Sequence, residues 1–117
     1  MYKPYNEGEL KEKFGKNVRK IMFNDSEFMI TRDGNIFRKM KSCNFKEIKN
    51  NPNHKKGYNV ILINKKQYMR SFLIALAWFP KFKETTNKYI VSIHHINNNK
   101  LDCKTNNLKM VRQPISS

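Results

Sequence analysis

The chain has 117 residues, with 24 lysines and arginines against 9 aspartates and glutamates, which gives a formal net charge of +15 at neutral pH. This length suits a single domain with a modest core, and no stretch reaches the roughly 18 apolar residues that a membrane span requires. The N-terminus also lacks the apolar centre of a signal peptide, so we expect a cytoplasmic protein with no membrane partner.

The first predicted element is a basic amphipathic helix in the segment NEGELKEKFGKNVRKIMF. Its apolar residues, such as Leu10, Phe14 and Val18, recur at steps of three or four, and lysines occupy much of the remaining surface. We therefore expect residues 1–24 to form an N-terminal helix that packs on the domain or on a partner. Residues 25–117 would form the main body of what is a single domain overall.

Two hairpins and a helix are predicted next. EFMITRDGNIFRKM has apolar segments on either side of Asp33-Gly34, a dipeptide that favours a hairpin turn because both residues tolerate positive φ. GYNVILINKKQYMR repeats the pattern, with Asn64-Lys65-Lys66 as its turn. SFLIALAWFP then predicts a buried helix of about three turns that Pro80 ends.

The third zone contains a β-branched segment, YIVSIHHI, which we interpret as a strand. Alternation would direct one set of side chains to one face and a second set to the other, namely Val91, Ile93 and His95 against Ile90, Ser92 and His94. The asparagines at 97–99 suit a turn because asparagine tolerates left-handed backbone, and NLKMVR predicts a second short strand.

The adjacent histidines have two possible interpretations from these residues alone. His94 and His95 could be a metal and proton site, or two polar residues that close a strand. The cysteines do not decide between them. Cys43 and Cys103 are far apart without any C-x-x-C spacing, so the sequence predicts neither a zinc site nor a required disulfide.

The string VSIHHINNNKLDCKTNNLKMV resembles the HNH motif of phage and intron homing endonucleases. Upstream, DGNIFRK, GYNVILINKKQYMR and FLIALAWFP occur in the order in which that family has a hairpin, a Gly-Tyr strand and an apolar helix. The resemblance covers about residues 25 to 112. It implies an α+β fold in which a small antiparallel sheet and a helix precede a ββα-metal motif, here lacking most of its C-terminal helix.

The resemblance also implies roles for three residues. His95 matches the general base that activates the attacking water, and His94 matches the residue that holds a divalent cation, Mg²⁺ or alternatively Mn²⁺. Asn107 matches the asparagine that ties the loop together and orients the base. The implied activity is metal-dependent nicking or cutting of duplex DNA by a protein that a phage or mobile element encodes, acting in the bacterial host cytoplasm.

The charge distribution favours the same class of partner. No acidic residue occurs between Glu47 and Glu84, and Asp102 is the one acidic residue after Glu84. An AT-rich coding sequence enriches lysine too, but it would also enrich glutamate, so we expect nucleic-acid binding, with DNA favoured over RNA. The candidate phosphate contacts are lysines in predicted turns or beside the motif: Lys55, Lys56, Lys65, Lys66, Lys100 and Lys104.

Three departures from the family pattern leave alternatives open. The family's last metal ligand would fall at Ser116, Asn97-Asn98 replaces Asp-Gly, and Ser71 stands where the helix usually begins with histidine. Water and phosphate could complete the metal shell, or a protein partner or second copy could donate the ligand. The chain could instead be a catalytically decayed nucleic-acid-binding regulator or subunit, or an RNA-associated structural protein.

Overall fold

The computed structural model describes residues 4–79 and 89–114, and within these ranges the chain folds as an α+β protein with antiparallel sheets, which confirms the predicted fold class. The elements in chain order are α1 (Glu7–Phe14), β1 (Val18–Phe23), β2 (Ser26–Thr31), β3 (Ile36–Lys39), β4 (Phe45–Glu47), β5 (Val60–Ile63), β6 (Lys66–Met69), α2 (Arg70–Trp78), β7 (Tyr89–His95) and β8 (Leu108–Pro114). Neither α-helix of the described part is long and apolar enough to cross a membrane.

Strands β1 to β4 form one antiparallel sheet in chain order. Because side chains alternate along β2, Phe28 and Ile30 join the cluster that contains α2, whereas Met29 joins the cluster beneath α1. The larger cluster extends through α2 to Cys103 and Leu108. The core therefore connects the N-terminal sheet to the segment that carries the HNH-like motif.

Helix α1 is shorter than the sequence predicts. Asn6 caps its start by accepting a hydrogen bond from the Glu9 backbone N–H (2.8 Å), and Gly15 ends it with a φ of 56°. Residues 18–23 are strand β1, which pairs with β2 over its whole length, so the helical interpretation of that segment was wrong. Asn24, the last residue assigned to the helix, lies in the β1–β2 turn.

Both predicted hairpins are confirmed, although their turns differ in detail. In the β2–β3 turn, Gly34 has a positive φ (91°), but Asp33 does not. In the β5–β6 turn, Asn64 and Lys65 take the two left-handed positions, with φ values of 49° and 69°. Lys66, which the sequence placed in that turn, is the first residue of β6.

Helix α2 confirms the predicted buried helix and begins one residue earlier than the apolar run. Leu73, Ile74 and Ala75 are fully buried, and the Trp78 indole N–H donates a hydrogen bond to the Ile30 carbonyl (3.1 Å). Trp78 is therefore a core residue that ties the end of α2 to β2. Pro80, the predicted stop, lies outside the described residues.

Strands β7 and β8 confirm the two strands predicted around the motif. They pair antiparallel, with His95 opposite Leu108 and His94 opposite Lys109. The loop between them, residues 96–107, contains the asparagine turn, in which Asn98 has a φ of 63°. Ser116, where the family's last metal ligand would fall, lies outside the described residues.

A buried arginine at the start of α2 joins three separate segments. The Arg70 side chain is 2% exposed and donates to the Gly34 carbonyl (3.0 Å), the Ile48 carbonyl (3.1 Å) and Asn59 Oδ1 (3.2 Å). Burial lowers the Arg70 pKa from its ordinary value, while the charge of the nearby Glu47 opposes that effect. These bonds fix the N-terminal end of α2 beside the turns that surround the site.

Candidate functional site

His94 and His95 end strand β7 with their side chains in different environments. The His94 side chain is exposed, and its Nε2 lies 3.2 Å from Ser92 Oγ, which is on the same face two residues earlier. The His95 side chain is half-buried. The alternation expected of a strand is therefore observed, and it gives the two neighbouring imidazoles different surroundings.

Both imidazoles nevertheless line one cleft of about 580 Å³. The cleft lies between the N-terminal half of α2, the end of β7 and the segment before β5. Its lining residues are Tyr58, Met69, Ser71, Phe72, Ser92, Ile93, His94, His95, Asn98 and Lys100. The structure thus brings together His94, His95 and Lys100 of the sequence-predicted residues, in a space large enough for a phosphate group.

The surroundings of His95 favour a neutral imidazole. Burial lowers the His95 pKa, a change that the charge of Asp102 opposes and the charges of His94 and Lys100 reinforce. Its Nε2 lies 3.8 Å from Cys103 Sγ, and its ring is 6.0 Å from the Tyr58 ring. Burial also raises the pKa of the Cys103 thiol to about 11, so Cys103 presents a neutral thiol to the imidazole at neutral pH.

Asn107 holds the loop between β7 and β8 in shape. It is 8% exposed, its Nδ2 donates to Asn97 Oδ1 (3.0 Å) and to the Asp102 carbonyl (2.8 Å), and its Oδ1 accepts from the Asn97 N–H (3.1 Å). Its own carbonyl accepts from the Ile96 N–H (2.8 Å). All three of these Asn107 side-chain hydrogen bonds therefore bind the loop that begins directly after His95.

The asparagine turn uses its side chains in the same network. Asn97 Oδ1 accepts from the Asn99 N–H (2.9 Å), and Asn97 Nδ2 donates to the Asp102 carboxylate (2.9 Å). Asn98 takes the left-handed conformation at which the family pattern has glycine. The replacement of Asp-Gly by Asn97-Asn98 is therefore compatible with the turn.

Comparison with solved structures finds a protein with a similar fold. A structure described as "DNA binding and cleavage by the HNH homing endonuclease I-HmuI" matches 72% of this chain with a TM-score of 0.51 and 20% sequence identity. The fold is HNH-like. The match covers 45% of that longer chain, and no protein-family profile and no curated protein sequence matches.

One of the candidate lysines, Lys100, lines the cleft, and two others precede Tyr58 in the chain. Lys100 Nζ donates to the Lys56 carbonyl (2.6 Å) and lies 4.8 Å from the centre of the Tyr58 ring, so the ammonium group is held beside the histidines. Lys56 lines a smaller hollow on the other side of Tyr58, and Lys55 is exposed next to it. Lys56 is therefore adjacent to Lys100 through its backbone, and Lys55 is its sequence neighbour.

The other candidate lysines are farther away or face elsewhere. Lys65 and Lys66 lie at the β5–β6 turn, and Lys66 is three residues from the cleft residue Met69, roughly 10 Å along the strand. Lys104 is exposed in the β7–β8 loop but does not line the cleft. The structure therefore does not gather the six lysines at one point.

The donor atoms at the cleft suit a cation anchored by one side chain. Across residues 4–79 and 89–114, no three His, Cys, Asp or Glu side chains converge in a way that could hold a metal ion. His94 offers an exposed imidazole, and Ser92 and Asn98 place oxygen-bearing side chains on the same cleft. This set fits a hard cation such as Mg²⁺ that keeps several water and substrate oxygens among its ligands.

Several residues that shape the histidine cleft carry no sequence signal of their own. Tyr58 lies between His95 and Lys100, and Cys103 contacts the His95 ring, but neither is predicted by periodicity or spacing. His54 packs edge-on against Tyr58, and its Nδ1 accepts a hydrogen bond from the Lys56 N–H (3.1 Å). Its place is thus in the loop that supports Lys56 rather than in the cleft.

Proposed function

We propose that this chain is a metal-dependent HNH-type DNA endonuclease that nicks or cuts duplex DNA. The observation that carries this proposal is the shared cleft, in which adjacent histidines of one strand meet a lysine while Asn107 fixes the loop behind them. The HNH-like fold supports it, since the similar protein is described in terms of DNA binding and cleavage. Nicking is the simpler outcome for one chain with one site.

In this proposal His95 is the general base. Its burial lowers the imidazole pKa and so favours the neutral form, which can accept the proton of the attacking water. Asn107 acts as a positioning residue because it fixes the loop that begins after His95. Both assignments agree with the roles that the sequence resemblance implies.

His94, with Ser92 and Asn98 beside it, would hold the divalent cation. A bound Mg²⁺ or Mn²⁺ supplies positive charge that stabilises the phosphorane and the leaving oxygen. Lys100 adds an ammonium group at the same cleft, and the exposed Lys55 and Lys56 in the preceding segment would provide phosphate contacts. In this proposal these groups orient a phosphodiester against His95.

Relaxation of supercoiled plasmid in the presence of Mg²⁺ or Mn²⁺ tests the proposal. We expect nicked plasmid with the wild-type chain, none with His95→Ala, and wild-type nicking with Asn106→Ala, which changes an exposed residue of the β7–β8 loop. DNA binding by His95→Ala should be unchanged in a gel-shift assay. Supercoiled plasmid that stays intact with both metals at high protein concentration would count against nuclease activity.

A second function, nucleic-acid binding without cleavage, is favoured by the small number of side chains at the cleft that could bind a metal ion. The Asp102 carboxylate accepts a hydrogen bond from Asn97 within the loop, and His94 is the one exposed imidazole among the described residues of the cleft. Cleavage then depends on a ligand from water, from substrate or from a partner or second copy. Salt-dependent DNA binding that needs no metal, together with no nicking, identifies a regulator or subunit with a decayed site.

A further inference from the structure

Two arginines stack on the single tryptophan of the chain, away from the histidine cleft. The guanidinium carbon of Arg19 lies 4.3 Å from the centre of the Trp78 ring, and that of Arg32 lies 4.5 Å from it. The two guanidinium groups are therefore within about 9 Å of each other. Both arginine residues are exposed, whereas Trp78 is 8% exposed. We call Arg19, Arg32 and Trp78 the arginine–tryptophan cluster.

The strand register explains why the cluster forms. Trp78 donates its indole N–H to the Ile30 carbonyl, so the indole lies over β2 at that residue. Arg19 is the partner of Ile30 on β1. Arg32 follows the last residue of β2, and its N–H donates to the Asn17 carbonyl (3.0 Å), which continues the pairing between the two chain segments. Both arginines are thus placed beside the indole by backbone pairing.

Within residues 4–79 and 89–114, few partners occupy the hydrogen-bonding edges of these arginines. Arg19 uses one terminal N–H group to donate to the Ala77 carbonyl at the end of α2 (3.0 Å), and the ion pairs among the described residues include neither Arg19 nor Arg32. The carboxylate nearest to them in sequence is that of the exposed Asp33. Arg38, by contrast, uses its guanidinium on the Leu62 carbonyl and Ser26 Oγ.

Stacking on an aromatic face orients a guanidinium without consuming its N–H donors. The planar guanidinium group is then already oriented before a ligand arrives, which reduces the conformational entropy lost on binding a phosphate. A lysine at either position would provide a point charge without this orientation. The cluster therefore has the chemistry of a preformed phosphate contact.

The cluster is connected to the loop that carries the site. The Arg32 carbonyl accepts a hydrogen bond from the Thr105 N–H (2.9 Å), and Thr105 lies between the exposed Lys104 and the buried Asn107. Lys104, which does not line the cleft, is thus next to the segment that holds Arg32. Positive charge continues from the β7–β8 loop to the arginine–tryptophan cluster.

We propose that the arginine–tryptophan cluster is a second contact for the phosphodiester backbone, outside the histidine cleft. The inference rests on the proposed nucleic-acid-binding function and adds to it a surface that anchors the substrate away from the reacting phosphate. Two guanidinium groups less than about 9 Å apart can bind neighbouring phosphates of one strand. The cluster reads no bases, so it contributes affinity without sequence preference.

The salt dependence of binding tests this inference. The double variant Arg19→Gln, Arg32→Gln should lower the slope of log affinity against log salt by about 2, since each lost phosphate contact accounts for roughly 0.9 on duplex DNA. The matched control is Lys41→Gln, Lys46→Gln, which removes the same charge from exposed positions in and beside β4 and should change the slope by less than half as much. Equal slopes for both double variants would overturn the inference.

The outcomes also separate this inference from the proposed function. If the wild-type chain binds neither DNA nor RNA in a salt-dependent way, the proposed function fails, and the inference fails with it. If the wild type binds and the arginine variant keeps its slope, the inference alone fails. Parallel titrations with DNA and RNA duplexes show which backbone the cluster prefers.

A second measurement covers the case in which the double variant does not fold. Arg32→Gln alone keeps the Arg19–Ala77 hydrogen bond, and Trp78 is the one tryptophan in the sequence, so its emission reports on the cluster. We expect DNA to change Trp78 emission in the wild type and in His95→Ala, and to change it much less in Arg32→Gln. Emission that DNA leaves unchanged in the wild type would overturn the inference.

Discussion

Gly34 lies against the main chain of Cys103. A Cβ atom at position 34 would be 3.0 Å from the Cys103 carbonyl oxygen and 3.1 Å from its carbonyl carbon. The β2–β3 turn and the β7–β8 loop therefore meet backbone to backbone, which only a residue without a side chain permits. Cys103 also contacts His95, since its Sγ lies 3.8 Å from His95 Nε2.

We expect Gly34→Ala to lower the free energy of unfolding by about 3 kcal/mol, because it combines positive φ with a clash against backbone that cannot turn aside. Gly57→Ala is a matched control: its φ is 89° against 91° at Gly34, but its Cβ would meet only the Lys100 side chain at 3.7 Å. It should cost about 1 kcal/mol. Urea denaturation of both variants measures the difference, and equal losses would contradict the contact.

Removal of the Asn107 side chain should loosen the loop behind the histidines. We expect Asn107→Ala to cost about 2 to 3 kcal/mol, since it deletes three hydrogen bonds at a residue that is 8% exposed. The neighbouring Asn106 is exposed, and Asn106→Ala should change stability by less than about 0.5 kcal/mol. Thermal unfolding of the pair tests this, and similar effects of the two changes would exclude a special role for Asn107.

Arg70 should resist replacement even by lysine. A single ammonium group cannot reach the Gly34 carbonyl, the Ile48 carbonyl and Asn59 together, so Arg70→Lys should lose about 3 kcal/mol. Arg38→Lys, at a half-buried position where water can replace the lost bonds, should lose about 1 kcal/mol. If denaturation shows that Arg70→Lys destabilises the chain less than Arg38→Lys does, the three hydrogen bonds do not explain why Arg70 is buried.

The nicking activities of His94→Ala and His95→Ala should respond differently to the metal concentration. If His94 holds the cation, His94→Ala raises the Mg²⁺ concentration for half-maximal nicking by about tenfold or more, and excess metal restores activity in part. If His95 is the base, His95→Ala lowers the rate by about 10² to 10⁴-fold at every Mg²⁺ concentration. Nicking rates across a metal titration separate the two roles. Rescue of His95→Ala by metal would reverse the assignment.

The ion pairs of α1 give a pH-dependent contribution to stability. Hydrogen bonds from Lys11 and then Lys20 lower the Glu7 pKa from 4.5 to about 2. Because the pKa is lower in the folded chain, the stabilisation is present above about pH 4.5 and disappears as the pH falls toward 2. The melting temperature of Glu7→Gln should therefore be slightly lower than that of the wild type at pH 6, and the two should be equal near pH 2.

Glu12 provides the control for this prediction. It is exposed on the same helix, and the ion pairs among the described residues do not include it. Glu12→Gln should leave the melting temperature nearly unchanged at pH 6, and raising the salt concentration should shrink the effect of Glu7→Gln. If the difference in melting temperature between the wild type and Glu7→Gln stays constant from pH 6 to pH 2, the ion pairs of Glu7 do not cause it.

The sequence predicts best the elements whose signals are local. The hairpins around Gly34 and Asn64 combine turn residues with flanking apolar strands, and α2 is a continuous apolar run. Residues 18–23 were misassigned because Val18 and Met22 fit a helical step as well as a strand. Gly15 ends α1, and pairing with β2, a contact distant in sequence, makes residues 18–23 a strand.

The residues of the site also differ in how well the sequence predicts them. His94, His95 and Asn107 are found from one short motif, and the structure places them on one strand and its adjoining loop. Tyr58 and Cys103 reach the His95 ring through tertiary packing, which spacing along the chain does not encode. Lysine positions are the least predictable, because charge density identifies a class of ligand but does not say which ammonium groups share a surface.

The two cysteines differ in a way that has a practical use. Cys43 is exposed in the turn between β3 and β4, whereas Cys103 is buried with a pKa of about 11. Since thiolate is the species that alkylating reagents attack, a maleimide dye should label Cys43 and spare Cys103 while the chain is folded. The native sequence thus carries its own attachment point for single-site labelling, without an engineered residue near the cleft.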